Sequence, residues 1–405
     1  MKLTNDLYQH AISTVPYYQE LKSKNSRMPI EIRDFSDFRN IPLLSQQSLQ
    51  EYQNELISRP YLRYPLNSKL TIRRSLGIHG YYYKLYWHED NGIRSQEELW
   101  SLRKNNFNIS KTDKHAYFYT TKYITNTWVE PQAMELSADK TSIGFCARNL
   151  SDERMLEIYQ HLCEFQPAWI LMSPSIAQLL VDYVSLMKLP AIPNLMYIEC
   201  MGEYLDNTLY SRIVSVMGCP VGFQYGCPEA NAIAFLDHKE NRINRLRCLK
   251  TNVYVETLEN GEPVSDGESG DVYITVLTNF AMPLIRFETG QRGILHKETS
   301  ATDDCQVLEL LPPQTQKFVC GINDERIPTS TFRYPIEYIN ERIGNIIQQF
   351  QVTQQNKSEF LIKMYIRQSY FNWRDVISDE FRKAMQERAL EGVAWRFQYY
   401  DKPIE

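Results

Sequence analysis

The sequence predicts a mixed α/β protein with a large N-terminal body and a small C-terminal α+β domain, and three observations carry that expectation. In the middle third, strand-like apolar runs alternate with amphipathic helical runs, the rhythm of a parallel sheet flanked by helices. After Ala234 the rhythm turns antiparallel, with alternating strands joined by tight turns. A chain of 405 residues also exceeds one ordinary domain, so a second core is expected. The LLPPQTQ connector sets the boundary: a body over 1–311, β-rich from about 235 to 310, and a small domain over 312–405.

The elements follow in order. Asp6 to Leu21 has helical spacing, and in FSDFRNIPLLSQQSL Ser36 can cap a short helix that Pro42 stops. TIRRSLGIHGYYYKLYW is β-prone and interrupted at Gly77 and Gly80, the pattern of two strands joined by a glycine turn. A helix over Ile93 to Leu102 precedes a mixed region. MLEIYQHLCEF is an amphipathic helix and AWILMS a strand, after which Ser173 caps IAQLLVDYVSLM. LMYIECM then reads as a buried strand, LYSRIVSVMG as a helix closed by Gly218, and PVGFQYG as another strand. In VYVETLENGEPV an Asn260-Gly261 turn joins two strands, and GDVYITVLT is a third. In the C-terminal part, the β-like runs IIQQFQVTQ and EFLIKMYI are expected to sandwich a helix-rich remainder, DVISDEFRKAMQERAL.

Composition excludes several classes. Hydrophobic residues make up 43% and aromatic residues 12%, with 27 Tyr, ample material for a packed core. Net charge is -5 and neither sign gathers into a block, which argues against nucleic acid as a partner. The 8 cysteines show no C-x-x-C pair, and Cys227, His238 and Cys248 fit no regular zinc spacing, so reduced cytoplasmic thiols are expected. MKLTNDLYQH lacks the apolar stretch of an export signal. The uncharged run Pro167 to Val181 is shorter than the roughly 20 residues of a membrane helix. A cytoplasmic protein without a membrane span is the expectation.

A set of landmarks then resembles, in order and across nearly the whole chain, the phenylacetate-CoA ligase and CapK-like branch of the adenylate-forming superfamily. VPYYQEL with FSDFRNIPLLSQQSL resembles its entry segment, and RSLGIHGYYYKLYW its phosphate loop and following strand. PAWILMSPS, YIECMGEYL, FQYGCPEANAIAF and GESGDVYITVLTNFAMPLIRFETGQRG resemble its nucleotide-site segments, the last two being the most specific. The resemblance implies ATP-dependent activation of a small, aromatic or apolar carboxylic acid as an acyl-adenylate. Transfer to CoA, an amine or a carrier-protein thiol would follow. ATP, Mg²⁺ and CoA are the implied cofactors, and a homodimer is an assembly compatible with this reading.

By resemblance, Ser75, Gly77 and Gly80 would cradle phosphate, because glycines let backbone N–H groups close around oxyanions. Gly202 and Glu203 would border adenine, and Tyr225 with Gly226 would stack beneath it. Glu229 would hold Mg²⁺, Thr289 and Gln291 would meet the ribose, and Arg286 would join Glu229 as a catalytic residue. An ordinary tight turn at Gly77–Gly80 and a structural ion pair at Arg286 are the competing readings.

The pattern is also broken at several places. Leu76, Ile78 and His79 stand where the family's loop carries hydroxyls, and Pro228 offers neither hydroxyl nor N–H. Gln291 replaces a ribose-binding aspartate, and Gly321-Ile322 replaces a hinge Gly-Arg, with Asp324 and Arg326 nearby. The family's terminal lysine has no counterpart in YYDKPIE, where Lys402 reads as a solvated residue. These departures touch separate tasks of one reaction. They support an alternative: a silent binding or scaffold homologue, or an acyltransferase using a pre-activated donor.

Overall fold

A computed structural model of the protein describes residues 2–77, 79–236, 242–299, 304–313, 317–386, 390 and 392–404. The chain forms two compact units, Met1–Asn106 with Gln224–Pro313, and Phe107–Phe223 with Gln314–Glu405. The architecture is mixed α/β, as expected, and among the described residues no helix is long and apolar enough to cross a membrane.

The first unit opens with two helices, Lys2–Thr14 and Pro16–Lys24, because Pro16 cannot continue the first. Their core-facing tyrosines carry hydroxyls that need partners. Tyr18 donates to Pro283 O at 3.1 Å and accepts from Ile285 N at 3.1 Å. The next short helix, Phe35–Arg39, is capped by Asp34, whose carboxylate accepts from Ser36 N and Asp37 N, so Ser36 is not the cap. Leu44 then pairs with the strand Phe287–Thr299 through Leu44 N to Arg286 O and Glu288 N to Leu44 O.

The unit's strands are antiparallel. From one edge the order is Glu262–Pro263, Val253–Glu259, Ser269–Val276, Phe287–Thr299, Asp304–Leu310, Arg245–Cys248, Asn231–Leu236 and Val221–Cys227. Asn260 and Gly261 both have positive φ, +53° and +83°, the two-residue hairpin turn that Asn-Gly favours. A separate hairpin pairs Leu70–Leu76 with Tyr82–His88, followed by the helices Glu89–Arg94 and Glu97–Phe107 rather than one helix from Ile93.

The second unit holds the parallel strands Tyr197–Met201, Trp169–Met172, His115–Tyr119 and Ser142–Cys146, with Met134–Leu136 antiparallel at the edge. The helices between them end as their residues dictate. Ser151 caps Asp152–Phe165 and Ser173 caps Pro174–Leu186, while Gly218 closes Asn207–Met217 with φ +68°. In the C-terminal segment, Ile347–Asn356 pairs directly with Glu359–Ile366, the helix Arg374–Met385 follows, and Ala394–Tyr400 adds a parallel strand. That third strand, AWRFQYY, has the alternation of a half-buried strand.

Candidate functional site

Most of the residues singled out in the sequence lie in the first unit, and three of its turns bring them together. The hairpin loop of residues 77–81 is closed on itself. Gly77 N donates to Tyr81 O at 2.9 Å and Gly80 N to Gly77 O at 2.7 Å, with Gly80 at φ +78°. These two N–H groups therefore face the loop's own carbonyls. Gly77 is also pressed against Gln46, whose Oε1 would stand 2.1 Å from any added Cβ. His79 is exposed, and Ile78 lies outside the described residues.

The turn after Val221–Cys227 is held from several sides. A bulge between Tyr225 and Gly226 leaves Ile233 unpaired opposite, and a Cβ on Gly226 would meet Asn231 O at 2.1 Å. Asn231, at φ +63°, donates to Ser95 Oγ at 2.6 Å. Asn252 Nδ2 reaches Ala230 O and Ala232 O at 2.8 and 2.6 Å, and Trp87 Nε1 reaches Pro228 O at 3.1 Å.

Glu229 sits in this turn only 3% exposed, and Oη of the fully buried Tyr83 donates to its Oε1 at 2.6 Å. Burial raises the Tyr83 hydroxyl well above the usual tyrosine range, the Glu229 charge adds to that, and a hydrogen bond with Ser75 opposes it. The same two causes, burial and then the Glu229 charge, push the Cys227 thiol well up, so it is held protonated. His238, which with Cys248 completes the zinc spacing, lies outside the described residues.

The third turn is a bulge in Phe287–Thr299. Asp271 pairs with Arg292 and Tyr273 with Glu288, so Thr289, Gly290 and Gln291 together oppose Val272. Thr289 Oγ1 donates to Val272 O at 2.8 Å and accepts from Gln291 N, while Gly290 takes φ +76°. Gln46 Nε2 donates to Thr289 O at 3.2 Å, tying this bulge to the hairpin loop. Tyr225 is a half-buried residue whose buried Oη lies beside Thr289. Among the described residues, Gln46 Oε1 is buried without a hydrogen-bond partner.

Arg286 is turned away from these three turns. Its guanidinium makes two 3.1 Å bonds to Glu256, donates to Arg39 O and Ile41 O at 2.9 and 2.8 Å, and packs over Phe38. That is the structural ion pair weighed against a catalytic role. Gly202 and Glu203 belong to the second unit. There Glu203 accepts from Ser175 N and Oγ, both at 2.8 Å, capping Pro174–Leu186, and burial raises its carboxyl. Gly202 is exposed at φ +85°. Asp324 pairs with Lys357 and Arg326 with Asp182, and Lys402 is exposed.

Sequence reasoning missed Gln46, Tyr83 and Trp87. Strand alternation places Tyr83 and Trp87 on one face of YYYKLYW, which was a usable signal. Gln46 carried none, because a glutamine in the first turn after Ser45 reads as solvated.

No protein-family profile and no curated protein matches the chain. Solved structures do. 2-Hydroxyisobutyryl-CoA ligase with 2-HIB-AMP and CoA is matched in its thioesterification state at 15% identity and TM-score 0.62, over 98% of this chain and 85% of that one. Its open conformation with the same ligands matches at 16% identity and TM-score 0.60, over 98% and 86%. The postadenylation state matches at 15% identity and TM-score 0.59, over 98% and 84%. The chain thus shares the mixed α/β fold of 2-hydroxyisobutyryl-CoA ligase.

Proposed function

We propose that the protein is an ATP-dependent acid ligase of the phenylacetate-CoA ligase and CapK-like type. It would activate a small carboxylic acid as an acyl-adenylate and pass the acyl group to CoA. The carrying observation is the convergence of the hairpin loop, the Tyr225–Glu229 turn and the Thr289–Gln291 bulge within one unit, linked through Gln46 and Thr289. In the reaction, a carboxylate oxygen bonds the α-phosphorus as its bond to the β-phosphate oxygen breaks, releasing pyrophosphate; the acceptor thiolate then attacks the acyl carbon and AMP leaves. The segment 312–405 would serve as the small C-terminal domain.

The residues fit a nucleoside better than a metal. Tyr225 offers a half-buried ring for adenine, and among the described residues the half-buried Gln291 side-chain amide has no hydrogen-bond partner to compete with the ribose. An amide in place of a carboxylate forgoes charge-assisted bonds worth roughly 1.5 to 3 kcal/mol each. Mg²⁺ fits poorly: Tyr83 covers Glu229, and Pro228 adds no oxygen side chain. That mismatch favours a second reading, a redirected homologue that takes a pre-activated acyl donor.

Pyrophosphate exchange into ATP, run with a panel of aliphatic and aromatic acids, separates the two. Acid-dependent exchange is expected for the ligase. Silence with every acid, together with acyl transfer from a CoA thioester, would leave the second reading standing alone.

A further inference from the structure

Arg73 lies on the Leu70–Leu76 strand, two residues before Ser75 and on the same hairpin face as Ser75, Tyr83 and Trp87, whose cross-strand pairings are Ser75 with Tyr83 and Thr71 with Trp87. That face meets the turn at Pro228 and Glu229 through the Trp87 and Tyr83 hydrogen bonds. The Arg73 guanidinium rests over the Trp87 ring, 5.1 Å from its centroid, and lies beside Gly92, where a Cβ would be 3.7 Å from Nη2.

Among the described residues the guanidinium makes no hydrogen bond and no ion pair, although the residue is half-buried. Its pKa is pushed down to about 10 by burial, with no carboxylate opposing the shift. The group therefore stays charged at neutral pH with its desolvation uncompensated. A planar fork of N–H donors backed by an indole face is the arrangement that receives a carboxylate or phosphate.

We propose that Arg73 is an anion-binding residue of the site, receiving an oxyanion of the ligand, either the acid's carboxylate or a nucleotide phosphate, against the Trp87 face. The identity of that anion rests on the acid-ligase reading. The placement explains how a site with a self-closed phosphate loop supplies positive charge: the cation comes from the strand before the loop.

Calorimetric titration of the full chain at low ionic strength tests this, with inorganic pyrophosphate in one arm and benzoate and acetate in the other. Binding in one arm identifies the source of the oxyanion. Arg73→Gln should weaken that binding about tenfold or more, the scale of losing a charge-assisted bond. Arg73→Lys, which keeps the charge but loses the fork, should weaken it less, and it carries the test if the glutamine variant does not fold. Absence of binding in both arms for the wild-type chain, or wild-type affinity in the variants, overturns the proposal. Anion binding lost in Arg73→Gln without any ATP exchange would sink only the ligase reading. Exchange that Arg73→Gln leaves unchanged, alongside unchanged anion binding, would sink only the subsite.

Discussion

Arg286 and Arg73 stand in the same unit, Arg286 buried and Arg73 half-buried, and their surroundings are opposite. Arg286 is ringed by acceptors, two oxygens of Glu256 and two main-chain carbonyls. Arg73 has an indole face and no acceptor at all among the described residues. Burial by itself therefore does not distinguish a functional charge from a structural one. What distinguishes them is whether the fold supplies the countercharge, because a cation the fold has already neutralised has little left to offer a ligand.

The comparison breaks most sharply at Arg286. Replacing it with Met should cost about 3–5 kcal/mol, because the buried Glu256 carboxylate loses its partner; urea denaturation measures it, and a loss under about 1 kcal/mol would mean the pair contributes little. Next in size is Tyr83→Phe, which removes a hydrogen bond to a buried carboxylate worth roughly 1.5–3 kcal/mol. It also has a pH signature. Tyr83 is held protonated in the fold, whereas an unfolded tyrosine ionises near pH ~10. Its contribution is thus complete below that pH and lost as pH rises further, so the variant's stability should fall less steeply above pH ~10. The smallest effect is Arg73→Met. Loss of a cation–π contact worth roughly 0.5–1 kcal/mol is offset by removing a desolvated charge, leaving stability within about 1 kcal/mol of wild type. A large destabilisation there would make Arg73 another structural arginine.

Much of the scaffold was legible because it depends on local chemistry. The Asn260-Gly261 turn, the Ser173 cap and the Gly218 stop are each set by one or two residues, and each is observed. What failed was also local. Asp34 outcompetes Ser36 as a cap because its carboxylate accepts two N–H groups at once, and AWRFQYY went unread behind a helical run. In the site, Gly77 and Gly80 are legible as turn chemistry, whereas Gly226, Thr289 and Gln291 stand out only through the resemblance. The partners that decide their behaviour were not. Tyr83 to Glu229 spans 146 positions and Gln46 to Thr289 spans 243, and no periodicity encodes such pairings.

The clamp on residues 227–232 has a further consequence. Asn252, Trp87, Tyr83 and Ser95 grip that turn from three segments of the chain, so its amide protons should be among the slowest of this unit to exchange with deuterium. Tyr83 and Trp87 reach it from the Tyr82–His88 strand, so that hairpin and the turn should resist exchange as one cooperative piece.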